Sequence, residues 1–354
     1  MRFIPCMIAV VLSACGGDLT PNIDLTEPPP DQLSDMGLMA WDGNAPVYAE
    51  GVHTYTLNTP LFSDYAVKHR AIYLPEGTSA SPGGPADVLD FPVGTVILKT
   101  FSFPADLRSP TEGVDPKETR MMRRTEEGWE SWPYLWNDDN TDADLAVGGN
   151  VSVVTFIDPD GESRTSQYLV PQRNQCSECH QIEQGEDVVM APIGPKPRNL
   201  TASGQLQTWI DAGIVTGLDT ASVDGAVVTE GLDIDALSGE ELNHAARDYL
   251  DINCAHCHRP DGVQGVTSQL FLNYENTNDF NLGVCKRPGS AGLGGGGLIY
   301  DIVPGNPDES ILAFRMETED PGAMMPLLGR SLAHNEGVDL IRAWIANMPA
   351  DDCQ

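Results

Sequence analysis

The chain is short of bases. Only 20 Lys and Arg stand against 52 Asp and Glu in 354 residues, a formal net charge of −32. Binding to nucleic acid by counterion release needs clustered cations, so that partner is excluded. Docking of a basic patch on anionic lipid headgroups is excluded on the same ground. No apolar run reaches the roughly 20 residues that span a bilayer as a stable helix. At 41% hydrophobic residues the chain is nevertheless able to bury a core, and its length suits about two domains.

The first feature present is a leader. Met1-Arg2 precedes an apolar run, Phe3–Ala14, broken by Pro5 and Ser13, which has the layout of a signal peptide over residues 1–14. It ends in Leu12-Ser13-Ala14-Cys15, which resembles a bacterial lipobox in which Cys15 is lipidated and becomes the mature N-terminus. The alternative is ordinary secretory cleavage nearby. Gly16 leans toward the outer membrane, so the expectation is a lipid-anchored protein on the periplasmic side of the envelope. Residues 15–40 are acidic, contain Pro28-Pro29-Pro30 and read as a tether.

Residues 41–170 read as β-structure. Thr95–Phe103 is rich in β-branched and aromatic residues, Glu118–Arg124 and Trp129–Trp136 flank Glu126-Glu127-Gly128, and Val151–Ile157 and Arg164–Val170 flank the turn Asp158-Pro159-Asp160-Gly161. The spacing predicts an antiparallel sandwich or small barrel. Trp132, Tyr134 and Trp136 share one strand face, either as core or as an aromatic platform.

The chemistry lies further on. Cys176-Ser-Glu-Cys179-His180 and Cys254-Ala-His-Cys257-His258 both read C-x-x-C-H. Two intervening residues let both sulfurs reach one porphyrin edge, and the adjoining histidine reaches the iron, so two covalently bound haems c are predicted, with His180 and His258 as axial ligands. Four thiolates on zinc are the main alternative, although zinc needs no histidine after each pair. No thioredoxin-like βαβ pattern surrounds either pair to suggest a redox dithiol.

The second motif follows a helical pattern over Glu240–Ile252. Asn306-Pro307-Asp308-Glu309 opens another helix, and Val338, Ile341, Trp344, Ile345 and Met348 form one apolar helix face. Between them, Met324-Met325-Pro326 offers Met325, with Met324 second, as the distal ligand. For the first haem the distal ligand is Met190, or a histidine such as His53, His69 or His244, or none. Lys196 and Arg198 are two cations available to its propionates, or simply solvated. Cys285 and Cys353 are expected to form a disulfide, because exported chains rarely leave thiols free.

These segments resemble bacterial exported dihaem c-type cytochromes with a β-rich N-terminal module. The resemblance lies in LFSDYAVKHRAIYLPEG (61–77), FPVGTVILKTF (91–101), GWESWPYLWNDDNTDADL (128–145), VPQRNQCSECH (170–180), IGPKPRNL (193–200) and ARDYLDINCAHCHRPDG (246–262). PGNPDESILAFRM, MMP and LIRAWI resemble class I cytochrome c domains. The fold implied is multidomain α+β: a β-rich module over 41–170, a first haem segment over 171–235, and a mainly α-helical cytochrome c-like domain over 236–354. The implied function is electron transfer between redox partners with basic surfaces. A dihaem peroxidase, or a haem-bearing docking subunit of a periplasmic dehydrogenase, is the alternative.

Overall fold

The computed structural model describes residues 19–84, 87–262, 268–289 and 292–353, so the leader and Cys15 lie outside the described residues. β1 (Met39–Trp41) and β2 (Pro46–Tyr48) form a small hairpin. β3 (Val52–Thr54), β4 (Val67–Tyr73), β5 (Val96–Phe103), β6 (Asp115–Thr125), β7 (Gly128–Trp136) and β8 (Ala143–Leu145) then build one antiparallel sheet in sequence order. This is an open meander, not the sandwich or barrel expected. β9 (Asn150–Ile157) and β10 (Ser163–Val170) pair with each other and pack Phe156 and Tyr168 against Phe101 and Phe103.

The central strands are buried on both faces, so each face needs a cover. On one face Val96, Leu98, Met121 and Tyr134 pack against Leu33, Met36, Leu38 and Met39. Four apolar residues within positions 33–39 supply that cover, so this stretch is folded and not a tether. Trp136, Tyr134 and Trp132 belong to the same cluster, as core rather than platform. On the other face Ile72, Ile97 and Met122 meet Leu200, Leu206 and Trp209. The segment after the first motif therefore shares the core of the sheet.

The remaining elements are α1 (Ser177–His180), the hairpin β11 (Gln181–Gln184) and β12 (Asp187–Met190), α2 (Gln205–Asp211), α3 (Gly239–Asn253), α4 (Asp279–Leu282), α5 (Ile311–Glu317) and α6 (Asn335–Asn347). The expected mainly α-helical cytochrome c-like domain is not there: the chain is mostly β-sheet, and helical segments make up only 24% of it. The first motif lies between strands. Residues 283–307 carry eight glycines and three prolines, a composition that disfavours helix through backbone entropy and missing N–H donors.

Where helix does form, the cause is local. Ser238 and Glu241 close a capping box at the start of α3. Ala245, Ala246, Tyr249 and Leu250 then meet Val338, Ile341, Trp344 and Ile345 of α6. A Cβ at Gly337 would lie 2.2 Å from the Tyr249 hydroxyl oxygen, so glycine permits this close approach. The two halves are interlocked. Lys196 pairs with Asp251 at 2.8 Å, both buried, and Arg198 pairs with Asp248. Asp64 accepts from the Ser331 and Leu332 amides, and Asn253 Oδ1 accepts from the Phe62 amide. Among the described residues no helix is long and apolar enough to cross a membrane.

Candidate functional site

The first motif occupies a single helical turn. Cys176 ends a short 3-10 turn, and Cys179 and His180 sit on α1. The β11–β12 hairpin then returns the chain, and the Ala191 carbonyl accepts from His180 Nδ1 at 2.9 Å. This bond fixes the ring and leaves Nε2 as the nitrogen for a metal. Burial lowers the His180 pKa to about 4, against the opposing pull of Cys179, so the imidazole is neutral, as a metal ligand must be.

The second motif closes the C-terminal end of α3. The Cys254 amide still bonds to the Leu250 carbonyl, and the Cys257 and His258 amides both return to the Cys254 carbonyl. Burial, then His256, lowers the His258 pKa to about 4. Its Nδ1 has no hydrogen-bond partner among the described residues. The two motifs touch: the Cys257 thiol lies 3.5 Å from the Glu178 carbonyl, and the Glu183 amide donates to the Asp261 carbonyl at 2.8 Å. The Cys257 thiol also lies against that of Cys179, and this thiol–thiol contact, helped by His256, pulls the Cys179 pKa down, while the same contact, then burial, pushes that of Cys257 up.

Both motifs reach one cavity of about 170 Å³, the second through Cys254 and His256 and not through Cys257 or His258. Cys176, Cys179 and His180 line one side, and Cys254, His256 and Met325 another. The residue types suit a planar group tethered at its edge: thiols from both motifs, one oriented ring nitrogen, and apolar walls including Leu57, Ile97 and Ile252. They do not form a thiolate cage. Among the described residues the only three potential ligand atoms within 4.8 Å of one another belong to Cys285, Asp351 and Cys353. There the two sulfurs are already joined in a disulfide, 2.05 Å apart.

The other residues singled out from sequence divide clearly. Met325 faces the cavity; Met324 is buried and does not. Met190 packs against the cluster of Trp209, next to the carbonyl that holds His180 from behind, and does not line the cavity. His53, His69 and His244 do not line it either; His69 Nε2 lies 3.1 Å from the Ser102 hydroxyl. Lys196 and Arg198 are neither solvated nor free for propionates, because each is held by an aspartate of α3.

One residue not expected from the sequence is Arg330. Its guanidinium donates to the carbonyls of Met325, Leu332, Arg315 and Thr318 at 2.9–3.1 Å. It braces the loop that presents Met325. The available signal was a lone arginine five residues after Met325 in an otherwise uncharged stretch. No known protein family, no curated protein and no solved structure matches the chain.

Proposed function

We propose that this protein is an exported dihaem c-type cytochrome that relays electrons between partners in the cell envelope, anchored through lipidated Cys15. Cys176 and Cys179 would hold one haem, with His180 as a ligand to its iron. Cys254 and Cys257 would hold the other, with His258 and Met325 as candidate iron ligands. When bound, each haem supplies a one-electron couple.

The observation that carries this reading is the convergence of Cys176, Cys179 and His180 with Cys254 of the second motif on one cavity, with His180 already oriented by the Ala191 carbonyl. The remaining residues have defined tasks. Ala191 sets the His180 tautomer, Arg330 holds the Met325 loop, and the apolar walls exclude water. The contact between Cys257 and the Glu178 carbonyl sets the attachment points side by side, which favours exchange between the centres. The net charge of −32 suits electron partners with basic surfaces, and their encounter would weaken as salt rises.

The test is expression with the native leader in a host that matures c-type cytochromes. Haem per chain is then measured by pyridine haemochrome and intact mass. Two haems are expected in the wild type, and one in each of the double variants Cys176→Ala/Cys179→Ala and Cys254→Ala/Cys257→Ala. A haem-free wild-type chain overturns the reading. A second reading is a peroxidase with one openable iron: none of Met190, His53, His69 and His244 lines the cavity to cap the first iron, although His256, His334 and Met316 do line it. Turnover of hydrogen peroxide to water by the half-reduced protein would support it, and inertness would remove it.

A further inference from the structure

The sheet face that floors the cavity carries an unusual charge pattern. Lys99 on β5 lies directly opposite Arg70 on β4 and Arg120 on β6, so three cations form one row across three adjacent strands. Lys68, two residues before Arg70, lies on the same face. Like charges placed directly opposite one another destabilise a sheet, and buried charges need partners. Here the compensation is thin. Arg120 pairs with the fully buried Glu118 at 2.5 Å, and Glu118 also accepts from the Tyr168 hydroxyl. Arg70 is only 8% exposed, and its Nη2 has no hydrogen-bond partner among the described residues; nor has Arg120 Nε. Lys68, Lys99 and Arg120 crowd the ring of Phe101, with Lys99 Nζ 4.9 Å from its centroid. Burial, then the neighbouring cations, pushes the Lys68 and Lys99 pKa values well down.

The row faces the candidate site. Arg70, Lys99 and Arg120 line the same cavity as Cys176, Cys179 and His180. On the opposite face of the sheet, Arg123 donates through its Nη atoms to Glu130 and to the carbonyls of Asp24 and Glu27, and only its Nε lacks a partner among the described residues. The contrast is between a cation held by a protein carboxylate and Arg70 and Lys99, which face the cavity with no such partner among the described residues.

We propose that the Arg70–Lys99–Arg120 row is the anion seat for the propionates of the haem tethered at Cys176 and Cys179. The inference rests on the dihaem reading and adds to it the residues that hold the carboxylates. Two carboxylates supply the missing negative charge, and burying them against cations makes strong charge-assisted hydrogen bonds. The row then also tunes the centre, because nearby positive charge favours the reduced iron. The task falls to the sheet, since Lys196 and Arg198 are consumed by Asp251 and Asp248.

The test is a redox titration of the mature holoprotein, resolved for each haem, in wild type, Arg70→Met, Lys99→Met and the milder Lys99→Gln. Lys117→Gln, a cation on β6 paired with Asp115, removes the same charge as a control. The expected result is two haems per chain in every variant, with one potential lowered in the Arg70 and Lys99 variants and the other unchanged. Lys117→Gln should move neither, and Lys99→Arg should restore the wild-type value. Two attached haems with both potentials unmoved by Arg70→Met and Lys99→Gln overturn the inference and leave the dihaem reading standing. A wild-type chain that carries no haem overturns both.

Discussion

The two C-x-x-C-H sites carry the same five-residue pattern in opposite settings. The first sits on a four-residue helix between strands, backed by a hairpin and floored by a cationic sheet. The second ends a capped 15-residue helix and faces a methionine loop. His180 has its Nδ1 tied to Ala191, whereas His258 Nδ1 is without a partner among the described residues. The lesson, on the proposed dihaem reading, is that the motif would dictate attachment and the surroundings electronics. A hydrogen-bonded imidazole is the more basic ligand, a thioether favours the reduced iron, and a cationic floor acts through space. On the proposed dihaem reading, each setting would bias its centre differently, as a two-step relay requires.

The most severe way to break this comparison is to cut the link between the sites. Lys196 and Asp251 are 4% and 0% exposed at their side chains and join the first-site segment to the helix of the second. Lys196→Met leaves Asp251 buried and unpaired, a loss of about 3–5 kcal/mol. Chemical denaturation should show that loss, with both haem environments perturbed. Perturbation of the first alone would mean that the sites are built independently. A smaller effect sharpens the contrast between ligands. In Met325→Ala the methionine-to-iron absorption band should vanish and the second potential fall by on the order of 100 mV, within the span of about 0.8 V that axial ligands cover. Met190→Ala should leave both spectra unchanged, and loss of the band there would reverse the distal assignment.

Much of this was legible from residue order. Alternation marks β5, β6, β7, β9 and β10 within a few residues, and the apolar spacing of α3 and α6 is plain. The two cysteine patterns need no structure to be seen. What the sequence hid was long-range. In VKHRAIY and VILKTFSF the lysines and arginines alternate with apolar residues and read as a solvated face. Only the strand register sets Arg70, Lys99 and Arg120 in one row, and only the packing of the first-motif segment and of residues 328–330 around the same cavity encloses them. Asp248 and Asp251 likewise look like the polar side of an amphipathic helix until Lys196 and Arg198 arrive from 50 or more residues away. The mainly α-helical domain expected over 236–354 fails at the glycine-rich stretch 283–307, where backbone entropy and missing N–H donors disfavour helix although helices flank it.

The smallest effect concerns a charge belonging to the second region alone. Asp301 is buried, and its Oδ2 and the Lys286 Nζ both lack hydrogen-bond partners among the described residues. Burial raises the Asp301 pKa from 3.8 to about 6, with Lys286 and then Arg315 pulling the other way. The folded state therefore binds this proton more tightly than the unfolded state does. Stability from this group is fully present below about pH 4 and is lost as pH rises through about 6. The loss across that window is on the order of 1–3 kcal/mol. Asp301→Asn has no proton to lose, so its stability curve should be flatter than the wild type's between pH 4 and 6, with the first haem's spectrum unchanged throughout. Parallel curves for the two proteins would show that Asp301 titrates as an ordinary surface carboxylate, and the second region would then differ from the first in its ligands but not in its buried charge.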